Sequence, residues 1–246
     1  AVRVLTSRQV KRLAANRRAV ESVELVEGSL RLPADVVFVD VGVEPSVELA
    51  TAAGIQLGSS GAIAVDDHME TSQHGIFAAG NCAETFHLVS GRPTSIPLGT
   101  VATKQGRVAG DNLAGRRTRF RGAVGTSVVK VFDLVVARTG LSSREARAAG
   151  FSFVDAAIEG RFQAHYFEGG APATVKIIAE RGSGRLLGGQ IVGSARGAIA
   201  IDVLATALTA GMSVSEASQL DLAYAPPLGA LWNPVLVAMN QLLKKL

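Results

Sequence analysis

The sequence predicts an α/β first part followed by an α+β second part built on an antiparallel sheet. Three observations carry this. VVFVDV (36–41) is a nearly continuous β-branched run, the pattern of a strand buried on both faces. From residue 127 onward, apolar strand patterns come first and helical patterns follow, which favours helices on one face of an antiparallel sheet. Between the two lies the basic stretch RRTRFRG (116–122), where composition shifts and a domain boundary is expected.

The elements follow in order. AVRVL (1–5), AVESVELVEG (19–28) and SLRLPADVVFVDVG (29–42) read as short strands divided by turn residues. Gly42 and Pro45 end the third. Ser46 is placed to cap a short helix, VELATAAG, which Gly54 stops. Residues 62–79 suggest two short strands around a polar loop. PLGTVATKQGRVAGDNLAG (97–115) reads as a helix: Leu98, Val101, Ala102, Gln105, Val108, Ala109 and Leu113 fall near one stripe, and Gly115 closes it. SVVKVFDLVVARTG gives two strands. SSREARAAG gives a short helix capped by Ser142 or Ser143 and stopped by Gly150. FSFVDAAIEG is a further strand, and ATVKIIAERGSGRLLGGQIVG a hairpin around Gly-Ser-Gly. Helical patterns close the chain in ARGAIAIDVLATALTAG, SVSEASQLD and LGALWNPVLVAMNQLLKKL.

Composition narrows the function. The 246 residues can bury a sizeable core. A net charge of +4 with dispersed arginines and few aromatics argues against nucleic acid as a partner. Cys82 is the single cysteine, which excludes an internal disulfide, a dithiol redox pair and a cysteine-rich zinc site. Arg3, Arg8, Lys11 and Arg12 interrupt any signal-peptide core, no apolar run is long enough for a bilayer, and a cytoplasmic location is expected. The chain opens on AVRVL with neither an initiator Met nor a lead-in, so a fragment, a processed chain or a truncated product is expected.

Several chemistries are set aside. GSSGA (58–62) lacks the last glycine of a nucleophile elbow. His68, His74, Cys82 and His87 match no common zinc spacing, and no metal is expected. GSGRLLGG (182–189) has Leu187 where a dinucleotide loop needs its third glycine, and it lies between two strands. The C-terminal LLKKL could lie on a membrane, but Asn233, Pro234 and Asn240 break its faces, and the lysines suit a helix C-terminus.

The most specific stretch is TSQHGIFAAGNCAE (71–84). It resembles the second flavin-binding signature of the pyridine nucleotide-disulfide oxidoreductases, T-x-x-x-G-I-[FY]-A-x-G-D. Thr71, Gly75, Ile76, Phe77, Ala78 and Gly80 fit, and Asn81 stands where the acid belongs. LPADVVFVDVGVEP (32–45) resembles the strand closing that family's NAD(P)H domain. LGTVATKQGRVAGDNLAG (98–115) resembles its flavin-contacting helix, and KVFDLVVARTGLSSREARAAG (130–150) the start of its interface domain. LAYAPPLGALWNPVLVAMN (222–240) is similar to the coenzyme A-disulfide reductase and NADH oxidase branch, with Leu228 and Asn233 where relatives often carry Phe and Asp. The resemblance covers almost the whole chain in the right order.

The resemblance implies an α/β remnant of FAD- and NAD(P)-binding domains over residues 1–62 and 63–121, then an α+β dimerisation domain over 122–246. It implies FAD and NAD(P)H as cofactors. Gly80 and Asn81 would meet the ribityl chain, with Asn81 bonding a hydroxyl without a carboxylate's charge. Free N–H groups at Gly99, Thr100 and Val101 would favour negative charge at the flavin's pyrimidine edge. Gly42, Val43 and Pro45 would border the nicotinamide. Tyr224 is the candidate catalytic residue and Tyr166 a second, each reaching a partner's active site across a homodimer; the alternative is that both pack at that interface. The implied activity passes hydride from NAD(P)H through FAD to a disulfide, such as coenzyme A disulfide, or to dioxygen. The family's glycine loops and redox cysteine have no match in these residues, so the alternative function is a non-catalytic dimerisation module.

Overall fold

The structure is a computed structural model and describes residues 2–26, 30–167 and 170–246. It divides into two compact units, Ala1–Glu44 and Pro45–Leu246.

In the first unit, β1 (Val10–Ala15), β2 (Val20–Leu25) and β3 (Arg31–Pro33) form an antiparallel sheet in sequence order. The β1–β2 turn is held by Asn16, whose side-chain oxygen accepts the N–H groups of Arg18 and Ala19. Two expectations need correction here. Residues 2–5 form no strand, and Ala1 lies outside the described residues. The run 36–41 is not a buried strand either: Phe38 is 94% and Val41 89% exposed. A strand buried on both faces needs hydrogen-bonding neighbours and a covering layer on each side. The small sheet of this unit supplies neither. Gly42 ends the run at φ +98°.

The second unit opens with α1 (Glu48–Ala52), stopped by Gly54 at φ +71°. Its cap position is Val47 rather than Ser46, whose hydroxyl instead donates to the Glu48 carboxylate. The two strands expected within 62–79 reduce to single bridges, Val65–Thr71 and Glu70–Phe77. Asp66 is the cause: its carboxylate accepts the N–H groups of His68 and Glu70, so the chain doubles back before a ladder extends. A hairpin of β4 (Thr85–His87) and β5 (Arg92–Thr94) follows. Then comes α2 (Gly99–Leu113), closed by Gly115 at φ +79°. It buries Val101, Gln105 and Ala109, but Leu113 is exposed. Steps of four residues drift by about 40° each, so the fourth member of the row has left the buried stripe.

The remaining chain forms one sheet with helices. The strands β6 (Ser127–Val131), β7 (Leu134–Gly140), β8 (Phe153–Arg161), β9 (Pro172–Glu180) and β10 (Leu186–Gly193) pair antiparallel in the order β6-β7-β10-β9-β8. Ala156, Ile177, Gly189 and Thr139 align across four strands on one face. Onto that face pack α5 (Ile201–Thr209) and α7 (Pro234–Leu243): Leu204 lies 2.6 Å from where a Cβ of Gly189 would stand, and Pro234 lies 3.0 Å from that point at Gly160. Val175, Ile177, Ile191, Leu204, Met239 and Leu242 form the centre of this core. The short helices α4 (Ala195–Ala198) and α6 (Val214–Ala217) complete the layer. One helix departs from the expected single face. The helix α3 (Ser143–Ala148) reaches Asp155, which alternates with Ala156 to the other face, through the Ser143 hydroxyl. The last helix begins at Pro234 rather than near Leu228, with Asn233 as its cap accepting the Val235 N–H.

Candidate functional site

The Gly80–Asn81 turn sits directly on α2. Gly80 adopts φ +86°, a region open to glycine and costly for other residues. A Cβ there would stand 3.5 Å from the Cβ of Ala102. The Gly80 N–H donates to Oε1 of Gln105 at 2.8 Å. The Gln105 amide nitrogen in turn donates to the Glu84 carbonyl and the Thr85 hydroxyl, each at 3.0 Å. Asn81 points its side chain outward and has no hydrogen-bond partner for it among the described residues. The Cys82 thiol, half-buried, donates weakly to the Ala79 carbonyl.

The N-terminus of α2 is open. Leu98 precedes it in an extended conformation and makes no side-chain cap. The Leu98 carbonyl takes the N–H groups of Val101 and Ala102. Val101 therefore has no free N–H to offer, contrary to expectation, and its side chain is buried. Gly99 and Thr100 are exposed, and their N–H groups have no backbone acceptor among the described residues. Free N–H groups at a helix start favour electron-rich or anionic groups. The structure thus seats Gly80 against Ala102 and Gln105 of α2, the helix whose first residues Gly99 and Thr100 are exposed. Gly42 and Val43 lie in the first unit, and Pro45 opens the second.

The two tyrosines lie on adjacent segments. The Ala164 N–H donates to the Pro226 carbonyl, and the Arg196 guanidinium donates to that of Pro227 at 2.7 Å. Tyr166 stacks edge-on against His165 and is 65% exposed; Tyr224 is 48% exposed. Ile199, Leu228, Leu231 and Trp232 are exposed on or near the same segments.

A cleft of about 480 Å³ is lined by His87, Arg92, Arg138 and Glu145 among others. Burial pushes the Glu145 carboxyl up, but the Arg138 guanidinium at 2.6 Å and the Ser142 N–H and hydroxyl outweigh it and hold the group at about 2. Burial lowers His87, whose Nδ1 accepts the Ser90 N–H.

Sequence reasoning missed the role of Gln105. Its signal was a polar residue on an otherwise small or apolar helix stripe. Trp232 was likewise unmarked, although Trp is enriched among interface anchors.

Comparison with known proteins places these features in context. The model for pyridine nucleotide-disulphide oxidoreductases matches residues 1–106, and that for their dimerisation domain matches residues 126–234. The chain is 39% identical over 221 residues to an NAD(P)H sulfur oxidoreductase (CoA-dependent) of Pyrococcus furiosus, covering 90% of this chain and 49% of that protein. It is 34% identical over 245 residues to an NADH oxidase of Methanocaldococcus jannaschii, covering 100% of this chain and 54% of that one. The solved structure of an NAD-dependent persulfide reductase from A. fulgidus superposes with a TM-score of 0.93 at 39% identity, over 98% of this chain and 44% of that one. The chain spans about half the length of the curated relatives it matches.

Proposed function

Because the chain belongs to the pyridine nucleotide-disulphide oxidoreductase family, we propose that it serves as the C-terminal part of a homodimeric, FAD-dependent NAD(P)H oxidoreductase. The reaction passes hydride from NAD(P)H by way of FAD to a disulfide, such as coenzyme A disulfide, or to dioxygen. The observation that carries this reading is the glycine turn at Gly80–Asn81 packed against α2, the helix whose N-terminus is uncapped. The residues present fit a flavin. Gly80 leaves no side chain over the turn, and Asn81 has an unengaged carboxamide for a ribityl hydroxyl. Gly99 and Thr100 offer N–H groups to the electron-rich edge of the ring, with Val101 packing beneath. The flavin supplies the two-electron transfer between nicotinamide and acceptor. Gly42, Val43 and Pro45 are proposed to border the nicotinamide.

Self-association is proposed through residues 122–246, with the exposed segment around Tyr224 and Trp232 as its apolar centre. Tyr224 and Tyr166 would then face a partner's active site. No helix among the described residues is long and apolar enough to cross a membrane. A cytoplasmic location, with neither nucleic acid nor membrane as partner, completes the proposal.

The second reading, a non-catalytic dimerisation module, is favoured by one feature: Asn81 lacks the charge that strengthens a carboxylate's bond to a hydroxyl. An absorbance spectrum of the protein purified at its natural length separates the two. A flavin band that bleaches on adding NADH or NADPH and returns with coenzyme A disulfide or dioxygen supports the oxidoreductase. Colourless dimers that do not quench added FAD fluorescence overturn it in favour of the module.

A further inference from the structure

We infer that Gln105 is a positioning residue: its amide clamps the base of the Gly80–Asn81 turn and so sets how the turn meets a flavin. The inference rests on the reading above and deepens it. Gln105 is completely buried, in the middle of α2 between Val101 and Ala109. A helix-stripe position facing a core ordinarily takes an apolar side chain, because a buried amide without partners loses its hydrogen bonds to water and gains none in return. Here three of the four hydrogen-bonding positions of the amide are used, both donors among them. Oε1 accepts from Gly80, and the two hydrogens of Nε2 go to the Glu84 carbonyl and the Thr85 hydroxyl. The orientation is unique, since the Gly80 N–H can only donate and the Glu84 carbonyl can only accept.

The three partners stand at the two ends of one short loop. Gly80 begins it and Glu84–Thr85 close it, where β4 starts. Within it, the Ala83 N–H donates to the Gly80 carbonyl at 3.0 Å. Asn81 and Cys82 therefore lie on a loop whose base is fixed from outside by a residue on the same helix that presents Gly99 and Thr100. One side chain ties the two halves of the site together, so the spacing between Asn81 and the helix N-terminus depends on it.

Two variants test this. Gln105→Met keeps length and volume but removes every bond. Gln105→Glu can accept from Gly80 when ionised but has no hydrogen for Glu84 or Thr85; protonation returns one donor, and burial raises the pH at which that happens. The first readout is amide hydrogen exchange at Gly80 in the chain itself, without any flavin. The expected result, always read against wild type at the same pH, is lower protection of Gly80 in Gln105→Met at every pH, and in Gln105→Glu a deficit, from the lost anchorage at Glu84 and Thr85, that narrows as the solution is made mildly acidic. The second readout is FAD affinity of the natural-length protein, expected to fall about tenfold or more in both variants and to recover with acid only in Gln105→Glu. Loss of packing alone gives no such acid recovery. If Gln105→Met does not fold, the pH series on Gln105→Glu decides by itself. Unchanged Gly80 exchange and FAD affinity in the variants overturn the positioning role. A wild-type protein that takes up no flavin, with Gly80 exchange still responding to Gln105, overturns the flavin reading and leaves the clamp standing.

Discussion

Gly140 and Gly150 share a backbone conformation and differ in surroundings. Both have positive φ, +64° and +88°. A Cβ on Gly140 would collide with the Leu187 carbonyl and stand 2.9 Å from Cδ1 of Leu208, whereas one on Gly150 would meet nothing within 4 Å. Gly150→Ala is therefore expected to cost only the backbone part, about 1–2 kcal/mol. Gly140→Ala adds overpacking against β10 and is expected to cost about 2–5 kcal/mol. Urea unfolding of the two variants side by side checks the difference. Two ionisable groups shape the acid limb of stability. The folded state holds Glu145 at about 2, below its ordinary 4.5. Its contribution is complete above 4.5 and fades as pH falls through about 2. Burial holds His87 below its ordinary 6.5, so the folded state prefers the neutral ring, and its contribution is lost as pH falls below 6.5. His87→Gln is expected to flatten the first part of the acid decline, and Glu145→Gln the second. Unfolding midpoints collected from neutral to strongly acidic pH would reveal this, and a wild-type-like profile in both variants would refute the assignment.

Capping makes α3 a separable unit. Ser142 accepts the Glu145 N–H while the Glu145 carboxylate accepts the Ser142 N–H, which is a full capping box. Ser142→Ala is expected to cost about 1 kcal/mol. Combining it with Glu145→Ala should cost less than the two added together, because they break one reciprocal pair; thermal or urea unfolding of the three variants measures that coupling. The helix and a serine cap were readable from SSREARAAG, with Ser142 and Ser143 both fitting, and so were β6 to β10, whose residues alternate or form apolar runs bounded by glycine. The failures have physical causes. The run 36–41 carries the pattern of a central strand, but pattern cannot say whether neighbours are present to pair with it. The β4–β5 hairpin went unseen because its strands have three residues each and Pro93 lies inside one. Gln105 was placed on the right helix face, yet its partners lie 20 to 25 positions away, and no local rule reports them.

The site as a unit was readable only through the match of many segments in order, since composition and net charge fit many enzymes. Gly80 does lie against α2, at Ala102 and Gln105. The adjacency of the two tyrosine-bearing segments rests on the Ala164–Pro226 hydrogen bond, which no sequence pattern reports. Trp232 and Leu228 are 69% and 71% exposed, an unusual placement for large apolar side chains unless a partner covers them. Trp232→Glu is expected to weaken self-association of the chain at least about tenfold, since aromatic anchors near an interface centre dominate binding. Sedimentation over a concentration series would show it, and an unshifted monomer–dimer balance would place the interface elsewhere.

Strand β10 lies between one partner next to it in sequence and one far from it. It zips to β9 across the short Gly182–Gly184 turn, but its other edge must find β7, about fifty residues earlier. Local closure costs little entropy and long closure more, so β8, β9 and β10 should assemble as an early hairpin stack. Docking of β6 and β7 would then be the slow step. Gly188 and Gly140, which pair at that late seam, are where a substitution would change the speed of folding as well as its extent.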